Sequence, residues 1–156
     1  FAIKGTSINK FLTPEIKDED GEEHIQMANR VGKFNYDANT HSLPKKRINA
    51  FINWNFRDYG FNLNARHVDG YSNERPINDL GLTYGYKNKV DSFLVFDFSA
   101  SKLIKLNNGE MDLKFSIINI FDESAPRLYD APDFSFDSRV HDPRGRIIGL
   151  NLEYRK

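Results

Sequence analysis

Residues 147–156 read Ile147-Ile148-Gly149-Leu150-Asn151-Leu152-Glu153-Tyr154-Arg155-Lys156, and their alternation decides the fold class. One parity holds Ile148, Leu150, Leu152 and Tyr154. The other holds Gly149, Asn151, Glu153 and Arg155. Side chains on a β-strand point alternately to opposite faces, so this stretch is a strand with one apolar and one wetted face. The turn residues Asp142-Pro143-Arg144-Gly145-Arg146 lead into it.

The same period of two runs back through the chain. Over 44–56, Ile48, Ala50, Ile52, Trp54 and Phe56 share a face. Arg47, Asn49, Asn53 and Asn55 share the other, with Phe51 the one exception. Arg57-Asp58-Tyr59-Gly60 places Asp and Gly where a tight reversal needs them. A return strand sets Phe61, Leu63, Ala65 and His67 against Asn62, Asn64, Arg66 and Val68, and ends at Gly70-Tyr71. Over 92–103, Leu94, Phe96, Phe98 and Ala100 alternate with Val95, Asp97, Ser99 and Ser101. Asn107-Asn108-Gly109 is a second reversal. Met111, Leu113, Phe115 and Ile117 then alternate with Asp112, Lys114, Ser116 and Ile118, and residues 119–122 close that strand. Residues 1–12 make a weaker strand containing Ile3, Ile8, Phe11 and Leu12. Residues 13–43, 72–91 and 123–145 read as loops.

Composition narrows the function classes. The length of 156 residues is that of one ordinary domain. Lys plus Arg and Asp plus Glu number 22 each, so no global charge points to nucleic acid or an acidic substrate. There is no cysteine, hence no disulfide framework and no thiolate metal site. No segment approaches the roughly 18 consecutive apolar residues of a membrane helix. An aromatic content of 13% with ten glycines suits a β-rich chain with many turns. The opening Phe1-Ala2-Ile3-Lys4-Gly5-Thr6 begins as if inside a strand, which predicts a piece of a longer protein. The acidic run Glu15, Asp18, Glu19, Asp20, Glu22 and Glu23 reads as a solvated loop.

Connection lengths alternate long, short, long, short, long. A soluble sandwich has no reason for that, because both its ends are equally wet. Outer-membrane barrels have short periplasmic turns and long external loops. Strands of about ten residues match a tilted bilayer crossing. Trp54, Phe56, Phe61, His67, Tyr71 and Tyr154 sit near strand ends, where interfacial girdles lie. With 57–60 and 107–109 as periplasmic turns, loops 72–91 and 123–145 fall outside. The competing reading is a soluble antiparallel sheet with one face on a core.

Five short motifs carry a family resemblance. They are Pro44-Lys45-Lys46-Arg47 before a strand with Asn53-Trp54; Gly70-Tyr71; Phe96-Asp97-Phe98-Ser99; Asn119-Ile120-Phe121-Asp122-Glu123 followed by Pro126; and Asp142-Pro143-Arg144-Gly145-Arg146. In this order, residues 44–156 resemble the C-terminal end of TonB-dependent outer-membrane receptors. The resemblance implies an all-β fold: an antiparallel up-and-down transmembrane β-barrel portion, about the last six strands of a barrel of about 22. It implies partners too: the remaining strands and plug domain of the same receptor, TonB through that plug, outer-membrane lipid and a transported small molecule. Cofactors, metals and catalytic residues are not implied. The family usually ends on an aromatic, whereas Lys156 stands on that parity here. Six strands leave two open edges, and unpaired backbone groups in lipid cost several kcal/mol each, so both edges need partners.

Function is then expected as uptake of a scarce, bulky solute: an iron chelate, cobalamin or an oligosaccharide. Arg47, Asn49, Asn53, Asn62, Asn64, Arg66 and Asp97 are expected to face the lumen or plug. Tyr71, Tyr84, Tyr86, Arg127, Tyr129, Phe134 and Phe136 are the candidate cargo contacts, since loops carry recognition and aromatics offer area at low entropy cost. His24, His41, His67 and His141 have no metal-ligand spacing. Asp97 lacks a visible catalytic partner. Asp130, Asp133, Asp137 and Asp142 lack the spacing of a calcium loop. No phosphate cradle or serine elbow appears. Two other classes stay open: a soluble ligand- or carbohydrate-binding sheet, and an outer-membrane enzyme or passive porin.

Overall fold

The computed structural model describes residues 1–13, 16–17, 19–21, 23–25, 28–34, 42–131 and 135–156. In chain order the elements are β1 (Ala2–Ser7), β2 (Leu12–Thr13), β3 (Ile16–Lys17), β4 (Glu23–Ile25), β5 (Ala28–Asn29), β6 (Lys33–Phe34), β7 (Lys46–Phe56), β8 (Tyr59–Val68), β9 (Tyr71–Asn73), α1 (Asp79–Thr83), β10 (Lys89–Val90), β11 (Phe93–Leu106), β12 (Gly109–Ile118) and β13 (Ile147–Arg155). Glu15, Asp18 and Glu22 of the acidic run lie outside the described residues, as do His41, Asp133 and Phe134.

Six strands form one sheet in the order β1-β7-β8-β11-β12-β13, each antiparallel to its neighbours. Each is flanked by the sheet strands before and after it in sequence, so the sheet is a meander. The turns Arg57-Asp58 and Asn107-Asn108 sit at one end, and all three long connections sit at the other. The sheet is open: β1 and β13 are its edges and do not pair with each other. The structure thus contains an all-β antiparallel meander and not a closed barrel.

Register sorts the faces. Ile52, Leu63, Phe98, Ile117 and Ile148 form one continuous row across five strands. The neighbouring row on the opposite face is Asn53, Asn62, Ser99, Ser116 and Gly149. The apolar face is uncovered: Leu150 is 73% exposed, Ile148 65%, Ile52 55% and Trp54 54%. A soluble sheet buries this face on a core. Here the small buried core of Phe34, Tyr71, Val90 and Leu128 belongs to the long connections, and the apolar face contributes nothing to it. At the turn end, Trp54 stacks with Phe56 (5.8 Å) and Phe61 (5.3 Å). Tyr154 donates its hydroxyl to the Asn108 carbonyl at 2.8 Å.

The connections hold more structure than their sequence predicts. β9 pairs with β10 and lies parallel to β6, forming a separate three-stranded sheet. Gly70-Tyr71 therefore does not end β8, which stops at Val68; Tyr71 opens the second sheet. Gly70 permits the break, since a Cβ there would stand 2.6 Å from the Val90 carbonyl oxygen. The 72–91 loop also carries α1, capped by Asn78, whose side chain accepts from the Gly81 amide at 2.8 Å.

Candidate functional site

Three sets of side chains gather where β8, β11, β12 and β13 meet the long connections. The first centres on Asp97, on the polar parity of β11. Its carboxylate accepts from Asn64 Nδ2 (3.1 Å), Arg66 Nε (3.0 Å), Arg66 Nη2 (3.1 Å) and the Asn119 amide (3.0 Å). Four donors occupy the carboxylate, so it cannot serve as a general base. Bidentate Arg–carboxylate geometry makes it a structural clamp across three strands.

Asn119 takes the left-handed conformation at φ 55° as β12 ends. Its side chain accepts from the Glu123 amide (2.9 Å) and donates to the carbonyls of Glu123 (2.8 Å) and Arg144 (3.4 Å). Asp122 accepts from the Arg146 amide at 2.7 Å. A Cβ on Gly145 would stand 2.7 Å from that same carboxylate. The two motifs at 119–123 and 142–146 therefore interlock and deliver the chain into β13. Asp142 is gripped by Arg144 through Nε (2.9 Å) and Nη2 (2.8 Å), which holds its pKa down at about 2.

The second set is buried under the connections. Asp137 accepts from both the amide and the hydroxyl of Ser42. His141 stacks on Tyr71 (5.9 Å) and meets Phe93 edge-on (5.4 Å). The Tyr71 hydroxyl lies 3.4 Å from His141 Nε2. Burial pushes the Tyr71 phenol up to about 12. It pulls the His141 imidazole down from 6.5 to about 4, against the pull of Asp137 and aided by Arg47. Between these values the unfolded ring binds a proton that the folded ring refuses. Stability is therefore complete above pH 6.5 and is lost as pH falls toward 4, by on the order of 2–3 kcal/mol. An NMR titration of the His141 ring is expected to give a midpoint near 4, with amide protection in β9 declining over the same range. A midpoint near 6.5 would place the ring in water.

The third set is open to solvent. The Arg127 guanidinium lies over the Tyr86 ring at 4.3 Å and donates to the Tyr84 carbonyl at 2.9 Å. Tyr86 meets Tyr129 edge-on at 5.4 Å. Tyr84 is 63% exposed. Gly81 packs directly on Tyr129, where a Cβ would come within 2.6 Å of the ring.

Of the expected cargo contacts, the structure thus brings Tyr84, Tyr86, Arg127 and Tyr129 together. Tyr71 sits apart and buried, Phe136 is half-buried, and Phe134 lies outside the described residues. All seven residues expected to face the lumen share the polar face. Asn64, Arg66 and Asp97 form the clamp, and Asn62 donates to Asn53. Arg47 and Asn49 stand exposed on the same face of β7. A groove of about 400 Å³ opens there beside Asn53, Asn55, Asn62, Ser99, Ser101 and Lys114. Asn119, Asp122 and Asp142 are organising residues that alternation alone does not single out. Their signal was the motifs in which they occur.

Among the described residues no cluster of His, Asp or Glu could hold a metal ion. Asp130 pairs with Arg75, Asp137 with Ser42 and Asp142 with Arg144. No protein family, curated protein or solved structure matches the chain.

Proposed function

We propose that this chain is a stretch of wall of a TonB-dependent transporter in the bacterial outer membrane, taking up a scarce bulky solute such as an iron chelate, cobalamin or an oligosaccharide. One observation carries the reading: the meander's apolar face is exposed from edge to edge while its polar face carries the part-buried Arg66–Asp97 ion pair. Lipid is the solvent that makes such a sheet stable, because apolar side chains then cost nothing by facing outward. Strands of 11, 10, 14, 10 and 9 residues in β7, β8, β11, β12 and β13 suit a tilted crossing.

In this reading β1 and β13 pair with the other strands of a barrel of about 22, since hydrocarbon tolerates no open edge. The Asn-rich face borders a lumen filled by a plug domain, and TonB acts on that plug. The long connections lie outside, where Tyr84, Tyr86, Arg127 and Tyr129 present an aromatic surface to cargo. The chain does no chemistry of its own.

Fractionation of cells expressing the full-length protein tests this. The expected result is recovery with the outer membrane, extraction only by detergent, and gel migration that changes on boiling. Uptake is expected to stop when the inner-membrane proton gradient is dissipated. Recovery as a monomer in aqueous buffer would overturn the proposal.

A further inference from the structure

We infer that the turn end of the apolar face is a binding site for an anionic phospholipid, with Lys102 and Arg57 taking the headgroup phosphate and an adjoining groove taking an acyl chain. This rests on the membrane reading above and adds a specific lipid contact to it.

Lys102 is a cation on the apolar parity of β11, paired with Tyr59 on one side and Leu113 on the other. Its ammonium lies 5.0 Å from the centre of the Tyr59 ring. Arg57, in the turn, lies 5.2 Å over the Phe56 ring, and Phe56 pairs directly with Tyr59. Among the described residues neither cation has a carboxylate partner, whereas Arg66, Arg75, Arg144, Arg146 and Arg155 each have one. Ring faces satisfy charge but leave most of the three ammonium and five guanidinium N–H donors unfilled. A phosphate supplies the missing acceptors.

A groove of about 260 Å³ starts at Tyr59 and Lys102 and runs past Phe61, Ala100, Phe115 and Leu150. Beyond its cationic mouth the walls are almost wholly apolar. A cation heading an apolar channel matches an anionic amphiphile by charge and by shape. The surrounding Trp54, Tyr59 and Tyr154 belong to the residue types that mark headgroup level, which puts the cations where lipid phosphates lie.

Native mass spectrometry of the detergent-solubilised full-length protein tests the site, using an equal mixture of phosphatidylglycerol and phosphatidylcholine with matched chains. Phosphatidylglycerol is expected to be retained preferentially, with about a fivefold loss for each cation removed in Lys102→Gln and Arg57→Gln. Ala100→Trp, which fills the groove, is expected to lower retention of both lipids. Equal retention of the two headgroups, or a preference unchanged in the double variant, overturns the site while outer-membrane recovery leaves the transporter reading standing. A protein that needs no detergent overturns both.

Discussion

Ile52→Arg is expected to remove most of the folded protein from the outer membrane, while Asn53→Arg, one residue along the same strand, leaves it in place. Ile52 lies on the apolar row and is 55% exposed; Asn53 faces the polar groove. Arginine on a lipid face near the bilayer midplane costs about 2–4 kcal/mol, and on a lumen face far less. At about 1.4 kcal/mol per factor of ten, the pair should differ by at least tenfold in the heat-modifiable, membrane-recovered fraction. Water predicts the opposite. A half-exposed isoleucine on a wetted surface tolerates arginine within about 0.5 kcal/mol. Equal recovery of both variants would therefore remove lipid from the account.

Asp97→Ala is expected to lower unfolding stability by about 2 kcal/mol, measured as a shift in denaturant midpoint. The loss has three parts, the first being the acceptor of Asn64 Nδ2. The Arg66 guanidinium keeps its charge but loses a bidentate acceptor, and the Asn119 amide loses its partner where β12 ends. Both partners of the ion pair are partly exposed, at 31% and 19%, so the effect falls below that of a fully buried pair. A double-mutant cycle with Arg66→Gln should return a coupling of at least about 1 kcal/mol. Additive effects would show that the clamp is ornamental. Loosening should also be felt at the 142–146 turn, because Asn119 donates to the Arg144 carbonyl and Arg66 lies 3.8 Å from Asp142.

Much of the fold was readable because side-chain alternation is a local property. The strands β7, β8, β11, β12 and β13 and the assignment of Ile48, Trp54, Phe96 and Leu150 to one face follow from period two, and the two tight turns from their Asp, Asn and Gly residues. Asp97 was recognisable as a hydrogen-bonded structural residue because nothing at catalytic spacing accompanies it. The connections were harder. Residues 72–91 show Gly, Pro and tyrosine without period, and the pairing of β9 with β6 (Lys33 with Ser72, Phe34 with Asn73) joins segments far apart in sequence. Contacts of that kind leave no periodic trace. Tyr71 illustrates the cost: as a sequence it is an aromatic at a loop edge, and only packing on His141 makes it a buried residue.

The sequence by itself determined the class of structure, the boundaries of β7, β8, β11, β12 and β13 to within a few residues, and which side chains share a face, because backbone geometry forces alternate residues apart. Tertiary structure alone decided that no described residue covers the apolar face, that Asp97 is saturated by donors from β8 and from Asn119 just past β12, and that Tyr84, Tyr86, Arg127 and Tyr129 converge. Those facts depend on how distant segments meet, and the pairing of distant segments is settled by the folded chain as a whole.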